Sequence, residues 1–219
     1  MKFFIDTANL AQIKEGNEMG ILDGVTTNPS LMAKEGITGE AAIRKHYKDI
    51  CDIIPEGDVS AEVLSTTYNE MVAEAKELVK IAKNIVVKVP CTKEGIKVIK
   101  HLNSIGISTN CTLVFSIGQA LLAAKAGATY VSPFVGRLDD ISSNGIELVE
   151  AIVDMYDYYG YATQVLAASI RSTGDLIRCI EVGADVATAP LNSFIGLLNH
   201  PLTDKGMDIF NEATQKMMK

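Results

Sequence analysis

A chain of 219 residues, 47% hydrophobic and 21% charged, can bury one substantial core, and we expect a single domain spanning residues 1–219 because no second compositional block is visible. Its net charge of −7 repels phosphate backbones and argues against nucleic acid as a partner. No apolar run suits a signal peptide or a membrane span, and the four cysteines lack metal-ligand spacing, so we expect a cytoplasmic protein with reduced thiols and no membrane partner.

Short β-branched or apolar runs recur along the chain and predict eight strands. They cover residues 2–7, 24–28, 58–64, 85–90, 108–114, 130–137, 164–169 and 186–190. Helical patterns separate them, as in residues 68–82, and Gly106, Gly127, Gly160 and Gly183 are positioned to end helices. This alternation predicts an α/β fold, a (β/α)₈ TIM barrel. An open doubly wound sheet is the alternative, disfavoured by the even spacing and by the lack of a G-x-G-x-x-G loop.

Residues 203–218 predict an additional C-terminal helix, with Met207, Phe210, Ala213 and Met217 at helical spacing. We expect this helix either to cap the barrel or to pack on a neighbouring subunit.

Polar side chains interrupt the predicted strands near their carboxyl ends, where buried parallel strands should be apolar. Residues i and i+2 share a strand face, which pairs these side chains. The pairs are Thr26 with Asn28, Ser60 with Glu62, Asn110 with Thr112, Ser132 with Phe134, and Ser169 with Arg171. Active sites of barrels lie at this end, so the pairs predict one common pocket, although any single Ser or Thr could simply bond the backbone.

Lys88 lies in the apolar segment Val86 to Pro90, where lysine is rarely buried without a partner. One interpretation is a structural ion pair. The other is a nucleophile, because desolvation favours the neutral amine, which can attack a carbonyl and form an iminium that stores electrons. The reaction class that follows is carbon–carbon cleavage or formation next to a ketone.

Two carboxylates could serve such a reaction. Asp6 opens the first βα loop and is either a general acid and base or part of a helix cap with Thr7 or Asn9. Glu62 lies within a strand, between Ala61 and Val63, and is predicted to act through a bound water rather than as a satisfied core carboxylate.

Arg137 and Arg171 follow the sixth and seventh predicted strands, where a guanidinium can bind a phosphate dianion. Ser172 or Thr173 begins the next helix, whose amides could add donors. Surface salt bridges are the alternative for both arginines.

Two segments carry a family resemblance. The first resembles the N-terminal signature of transaldolases and reads Gly24-Val25-Thr26-Thr27-Asn28-Pro29-Ser30-Leu31. The second resembles their active-site lysine signature and reads Val86-Val87-Lys88-Val89-Pro90, with Thr92 and Gly95. The likeness extends over nearly the whole chain. The short length resembles the small transaldolase and fructose-6-phosphate aldolase subfamily, whose members form pentamers or decamers with exchanged C-terminal helices, which implies a homo-oligomer.

Three positions follow the transaldolase branch of that subfamily. The aldolase branch carries Gln, Ala and Tyr where this chain has Glu62, Ser132 and Phe134. The resemblance implies the roles of the individual site residues. Lys88 would be the Schiff-base lysine, Asp6 the acid and base, Glu62 and Thr112 the holders of the catalytic water, Asn28 and Asn110 ligands of substrate or intermediate, and Arg137, Ser169 and Arg171 ligands of its phosphate.

The hypothesis is transfer of a dihydroxyacetone unit from sedoheptulose 7-phosphate or fructose 6-phosphate to glyceraldehyde 3-phosphate or erythrose 4-phosphate, as in the pentose phosphate pathway. The sugar phosphates are the expected partners, and no metal or organic cofactor is expected because the iminium itself holds the electrons. Two rivals stay open: an aldolase that releases free dihydroxyacetone, and a non-catalytic phosphosugar-binding barrel that uses Arg137 and Arg171 only.

Overall fold

Eight parallel strands close into a barrel in the computed structural model, which describes residues 1–218. Each strand pairs with its neighbours in chain order, and β8 returns to β1. The strands are β1 (Lys2–Asp6), β2 (Gly24–Thr26), β3 (Asp58–Glu62), β4 (Ile85–Pro90), β5 (Thr109–Val114), β6 (Tyr130–Pro133), β7 (Gln164–Ala167) and β8 (Val186–Ala189). The predicted (β/α)₈ barrel is therefore confirmed, and the open sheet is excluded because no strand edge is free.

Helices follow the strands and surround the barrel. They are α1 (Leu10–Glu18), α2 (Pro29–Lys34), α3 (Glu40–Ile53), α4 (Tyr68–Leu78), α5 (Lys93–Ser104), α6 (Ile117–Ala126), α7 (Val135–Asp139), α8 (Gly145–Tyr159), α9 (Thr173–Glu181), α10 (Leu191–Ile195) and α11 (Pro201–Met217), with a 3₁₀ turn at Gly196–Leu198. Helix α4 ends at Leu78 rather than at residue 82 as predicted. The glycine stops are confirmed, since Gly106, Gly127, Gly160 and Gly183 all have positive φ.

Several strands end earlier than predicted because the next element begins. Asn28 accepts a hydrogen bond from the Leu31 amide and caps α2, so β2 ends at Thr26. The predicted strand 130–137 divides at Pro133, after which α7 contains Arg137. Ser169 has a left-handed φ of 58° and lies beyond the end of β7. The strand predictions were thus right in place, but several were too long at their carboxyl ends, where Asn28, Arg137 and Ser169 lie beyond the strands.

The barrel interior changes character along the strands. Its lower layer is a buried apolar cluster that includes Phe4, Val86, Tyr130, Leu166 and Val186. Side chains two residues further along share the same face, and there the interior becomes polar. The polar second-layer residues are Asp6, Lys88, Ser132 and Thr188, and the fifth position is Ala168, which belongs to the apolar cluster. Because the lower layer is filled, the polar layer forms the floor of a pocket open at the carboxyl end.

The outer core lies between the strands and the helices, and the described helices other than α11 all pack around it or close its ends. Helix α11 differs, because none of its side chains is buried. The predicted C-terminal helix is confirmed, but it starts at Pro201 and does not cap the barrel with a buried face. Among the helices of residues 1–218, none has the length and apolar character needed to cross a membrane.

Candidate active site

A pocket of about 470 Å³, counting the space at its open mouth, lies at the carboxyl end of the barrel. The enclosed part of the cavity is smaller, about 120 Å³. Its lining residues come from strands or βα loops on both sides of the barrel: Asp6, Thr26, Asn28, Lys88, Ser132, Phe134, Arg137, Ala168, Ser169 and Thr188. The common pocket expected from the polar strand ends is therefore present in the fold.

Lys88 lies on the pocket floor and is 6% exposed. Its Nζ donates to the Thr27 carbonyl oxygen at 3.1 Å and lies 3.1 Å from Glu62 Oε2. Glu62 and Lys88 are direct neighbours across the β3–β4 pair, so the contact follows from strand register. The ion pair considered for Lys88 is present, and Lys88 also lines the pocket, so the ion pair is compatible with a nucleophilic role.

Asp6 faces the pocket at the end of β1 and is held by a chain of hydroxyls. Thr26 Oγ1 donates to Asp6 Oδ1 at 2.8 Å and lies 2.6 Å from Thr188 Oγ1. Protein surrounds the carboxyl except at the pocket mouth, and this burial raises its pKa, against the lowering effects of the Thr26 hydrogen bond and of Lys88. Such a carboxyl gives and takes a proton more readily near neutral pH.

Asp6 does not cap helix α1, so the capping alternative for this residue is not seen in the fold. Asn9 caps α1 by accepting from the Gln12 amide at 3.1 Å, and Thr7 Oγ1 accepts from the Asn9 amide at 3.1 Å. These two residues satisfy the helix start, so the Asp6 carboxylate stays free to face the pocket.

Asn110 and Thr112 extend the polar layer along β5. Ser132 Oγ donates to Asn110 Oδ1 at 2.7 Å, and Asn110 Nδ2 donates to Ser60 Oγ at 3.2 Å, which fixes the amide across three strands. Thr112 Oγ1 is buried and finds no hydrogen-bond partner among residues 1–218. A buried hydroxyl without a partner is costly, which suits a position that contacts water or substrate.

The opposite rim of the pocket contains a cation. The guanidinium carbon of Arg137 lies 5.2 Å from the Phe134 ring centroid, and Phe134 packs edge-on against Phe115 at 5.7 Å between centroids. No carboxylate of residues 1–218 is within ion-pair distance of Arg137. With Ser169 beside it in the lining, this guanidinium is free to bind an anion.

Arg171 is not part of this arrangement. It is exposed, does not line the pocket, and forms a two-pronged ion pair with Asp140, in which Nη2 lies 2.5 Å from Oδ2. The hydrogen bond from Arg171 lowers the pKa of Asp140. For this arginine the surface salt bridge is the contact that the fold makes.

Eight of the twelve predicted site residues line the pocket, whereas Glu62, Asn110, Thr112 and Arg171 do not. The sequence analysis also missed two residues at or next to the site. Thr188 lines the pocket, and its signal was a lone hydroxyl residue in the apolar strand Val186–Ala189. Tyr47, on α3, bonds the backbone of Glu62 and the hydroxyl of Thr27. Nothing in the strand pattern pointed to a helix residue, so Tyr47 had no signal.

Comparisons with known proteins agree with this geometry. The model of the family described as transaldolase/fructose-6-phosphate aldolase matches residues 3–219. Proteins named probable transaldolase from Parabacteroides distasonis and Porphyromonas gingivalis are 69% and 66% identical to this chain, over 96% and 99% of it and 96% and 98% of their own lengths. A third, from Bacteroides fragilis, is 65% identical over 99% of both chains.

A solved structure shows the same fold at low sequence identity. It is a thiamine phosphate pyrophosphorylase from Pyrococcus furiosus, with a TM-score of 0.60, 15% identity, and coverage of 86% of this chain and 85% of its own. This likeness concerns the barrel alone.

Proposed function

Because the chain belongs to the transaldolase/fructose-6-phosphate aldolase family, we propose that it is a transaldolase in which Lys88 forms a Schiff base with a ketose phosphate. The single observation that supports this most is a buried amine on the floor of a pocket that also contains a carboxyl of raised pKa. The close relatives named probable transaldolase favour transfer over the rival functions.

The proposed reaction begins when the neutral Lys88 amine attacks C2 of sedoheptulose 7-phosphate or fructose 6-phosphate. Loss of water leaves an iminium. Asp6 takes the proton of the C4 hydroxyl, the C3–C4 bond breaks, and its electron pair moves into the iminium to give an enamine. The aldose phosphate leaves. A second aldose phosphate then accepts the three-carbon unit, and Asp6 returns the proton.

Water is released when the Schiff base forms and is consumed when the Schiff base is hydrolysed. We assign it to Glu62 and Thr112. Glu62 lies against the Lys88 amine, and the Thr112 hydroxyl is buried with a free hydrogen-bonding capacity, so both suit a water next to C2. No metal or organic cofactor enters this scheme, because the iminium itself stores the electrons.

The remaining pocket residues are assigned to groups of the substrate by their chemical character. Thr26, Asn28, Asn110 and Ser132 are polar and lie on or beside the pocket floor, where they suit the hydroxyls of the bound sugar. Phe134 shields the same floor from one side. Arg137 and Ser169 suit the phosphate at the mouth, and Arg171 would join them only by leaving Asp140.

Borohydride reduction with fructose 6-phosphate tests the mechanism. We expect a three-carbon adduct on Lys88, found by mass spectrometry of the digest, and no adduct or turnover in Lys88→Met. Lys83→Met is the matched control, because Lys83 is an exposed partner of Glu56 far from the pocket lining. An unmodified Lys88 after reduction of active wild-type protein would contradict the Schiff base.

The aldolase alternative is separated by following the three-carbon product. A transaldolase passes it to erythrose 4-phosphate and releases little free dihydroxyacetone, whereas an aldolase releases dihydroxyacetone without an acceptor. The non-catalytic barrel would show neither product. Glu62, Ser132 and Phe134 all follow the transaldolase branch, which favours the first outcome.

We further propose a homo-oligomer, a pentamer or decamer, in which α11 packs on a neighbouring subunit. Its apolar side chains are exposed, among them Leu202, Met207 and Phe210 at 70%, 53% and 67%. Such a contiguous apolar face is typical of an interaction surface. The proposed setting is the pentose phosphate pathway in the cytoplasm, and the four unpaired cysteines suit a reducing compartment.

A further inference from the structure

Tyr47 lies outside the pocket but is joined to its floor. It is on α3, is 3% exposed, and points its hydroxyl at the carboxyl ends of β2 and β3. Thr27 Oγ1 donates to this hydroxyl at 3.1 Å, and the Glu62 amide donates to it at 3.3 Å. One phenol oxygen therefore binds two segments that come from different strands.

The Tyr47 hydroxyl accepts a hydrogen bond that a carbonyl of the neighbouring strand would otherwise accept. Pairing between β2 and β3 ends at Thr26 and Ser60, while β3 continues to Glu62. The Glu62 amide consequently has no β2 carbonyl to bond, and Tyr47 supplies the acceptor. A buried amide left without one would be costly, so the phenol has a defined local task.

The same two segments supply both groups that contact the Lys88 amine. Thr27 contributes its carbonyl oxygen at 3.1 Å, and Glu62 contributes Oε2 at 3.1 Å. Burial, together with the nearby Glu62 charge, raises the pKa of Tyr47, so the phenol stays neutral over the working pH range. A neutral hydroxyl positions these groups without competing for the lysine.

We propose that Tyr47 is a positioning residue for Lys88, acting through Thr27 and Glu62. The inference rests on the proposed Schiff-base function and specifies what holds its nucleophile in place. Tyr47 touches neither substrate nor amine. Its contribution is to keep two acceptors at fixed distances from Nζ, which sets how the amine is presented to the C2 carbonyl.

The expected signature is a change in rate with little change in substrate binding. Tyr47→Phe removes the oxygen and keeps the ring packing. We expect kcat and the rate of borohydride trapping of Lys88 by fructose 6-phosphate to fall about tenfold, with KM within about twofold of wild type. Tyr68→Phe is the control, because the Tyr68 hydroxyl has no hydrogen bond within residues 1–218 and should leave trapping unchanged.

Thr27→Val removes the hydrogen bond between Thr27 and Tyr47 by changing the donor. This variant tests the positioning role if Tyr47→Phe fails to fold. Tyr47→Phe removes the acceptor of both Thr27 and Glu62, whereas Thr27→Val removes only the Thr27 contact, so Tyr47→Phe should slow trapping at least as much. The double variant should be no slower than Tyr47→Phe alone, because the Thr27 contact is already lost there. Trapping at the wild-type rate in folded single variants, or fully additive losses, would overturn the positioning role. Wild-type protein that is not trapped at all would instead overturn the Schiff-base function on which the inference depends.

Discussion

Asp6 is a carboxyl that the fold holds at an energetic cost. Thr26 and Lys88 favour its charged form, but burial outweighs them and the pKa is raised above its usual value. A carboxyl with a raised folded-state pKa lowers stability progressively as pH rises above the unfolded-state value of 3.8, and by the full amount once pH exceeds the folded-state pKa, because ionisation is harder in the folded than in the unfolded chain. In the proposed mechanism, this destabilising carboxyl is the group that transfers the proton.

Replacing Asp6 by Asn should therefore have opposite effects on stability and on activity. We expect Asp6→Asn to raise Tm at neutral pH, with the gain shrinking as pH falls toward the unfolded-state value of 3.8, below which both states are protonated. Turnover should fall by about a hundredfold or more. Thermal melts at several pH values and the transfer assay check both.

Asp52→Asn serves as the control, since Asp52 is an exposed partner of Lys48 and should show neither effect. A Tm gain for Asp6→Asn that stayed constant down to acid pH would contradict the role assigned to burial.

Helix α7 and the residues that follow β7 meet closely at the end of the pocket that contains Arg137. The amides of Val135 and Gly136, at the start of α7, donate to the carbonyls of Ala168 and Ser169 at 2.9 and 3.0 Å. Ser169 adopts φ of 58°, a conformation uncommon for a residue with a side chain. This contact brings Arg137 on α7 next to the residues that follow β7.

Gly136 permits that approach, because a Cβ built on it would lie 2.5 Å from the Ser169 carbonyl oxygen and 2.8 Å from Arg171 Nε. The backbone oxygen cannot move aside independently. We expect Gly136→Ala to cost about 1–3 kcal/mol of unfolding free energy and to raise KM for phosphorylated donors more than it lowers kcat. Denaturant melts and steady-state kinetics measure the two effects.

Gly118→Ala is the matched control on α6, where an added Cβ meets nothing within 4 Å. It should leave KM unchanged and stabilise the helix by up to about 1 kcal/mol. If both variants behaved alike, the close approach at Gly136 would not matter for the site.

The barrel pairs all of its strands and buries its apolar core, whereas helix α11 leaves its apolar side chains exposed. Strand pairing closes fully, and the apolar core lies between strands and helices. Helix α11 instead exposes every one of its described apolar residues. A helix with this pattern gains stability by packing on another surface, which is the physical basis for the proposed oligomer.

A charge on the apolar face of α11 should disrupt that assembly. We expect Phe210→Asp to reduce the mass measured by light scattering from that of a pentamer or decamer toward that of a monomer, because the carboxylate would be desolvated in the interface. Gln215→Asp places the same charge on the opposite face of the helix and should leave the mass unchanged. A wild-type monomer, or equal effects of the two variants, would contradict the assignment.

The sequence by itself determined the barrel and the identity of most pocket residues. Apolar, β-branched runs and glycine stops are local features of the sequence, so eight strands were visible, and the polar residues at their ends stood out against apolar strands such as Ile85–Pro90. Tertiary structure alone decided the contacts. The contact of Lys88 with Glu62 depends on strand register, and the ion pair of Arg171 with Asp140 depends on the meeting of two segments. The contact of Tyr47 with the Glu62 amide depends on how α3 packs against the barrel. Each of these contacts joins residues that are distant in the chain, so local sequence patterns do not reveal them.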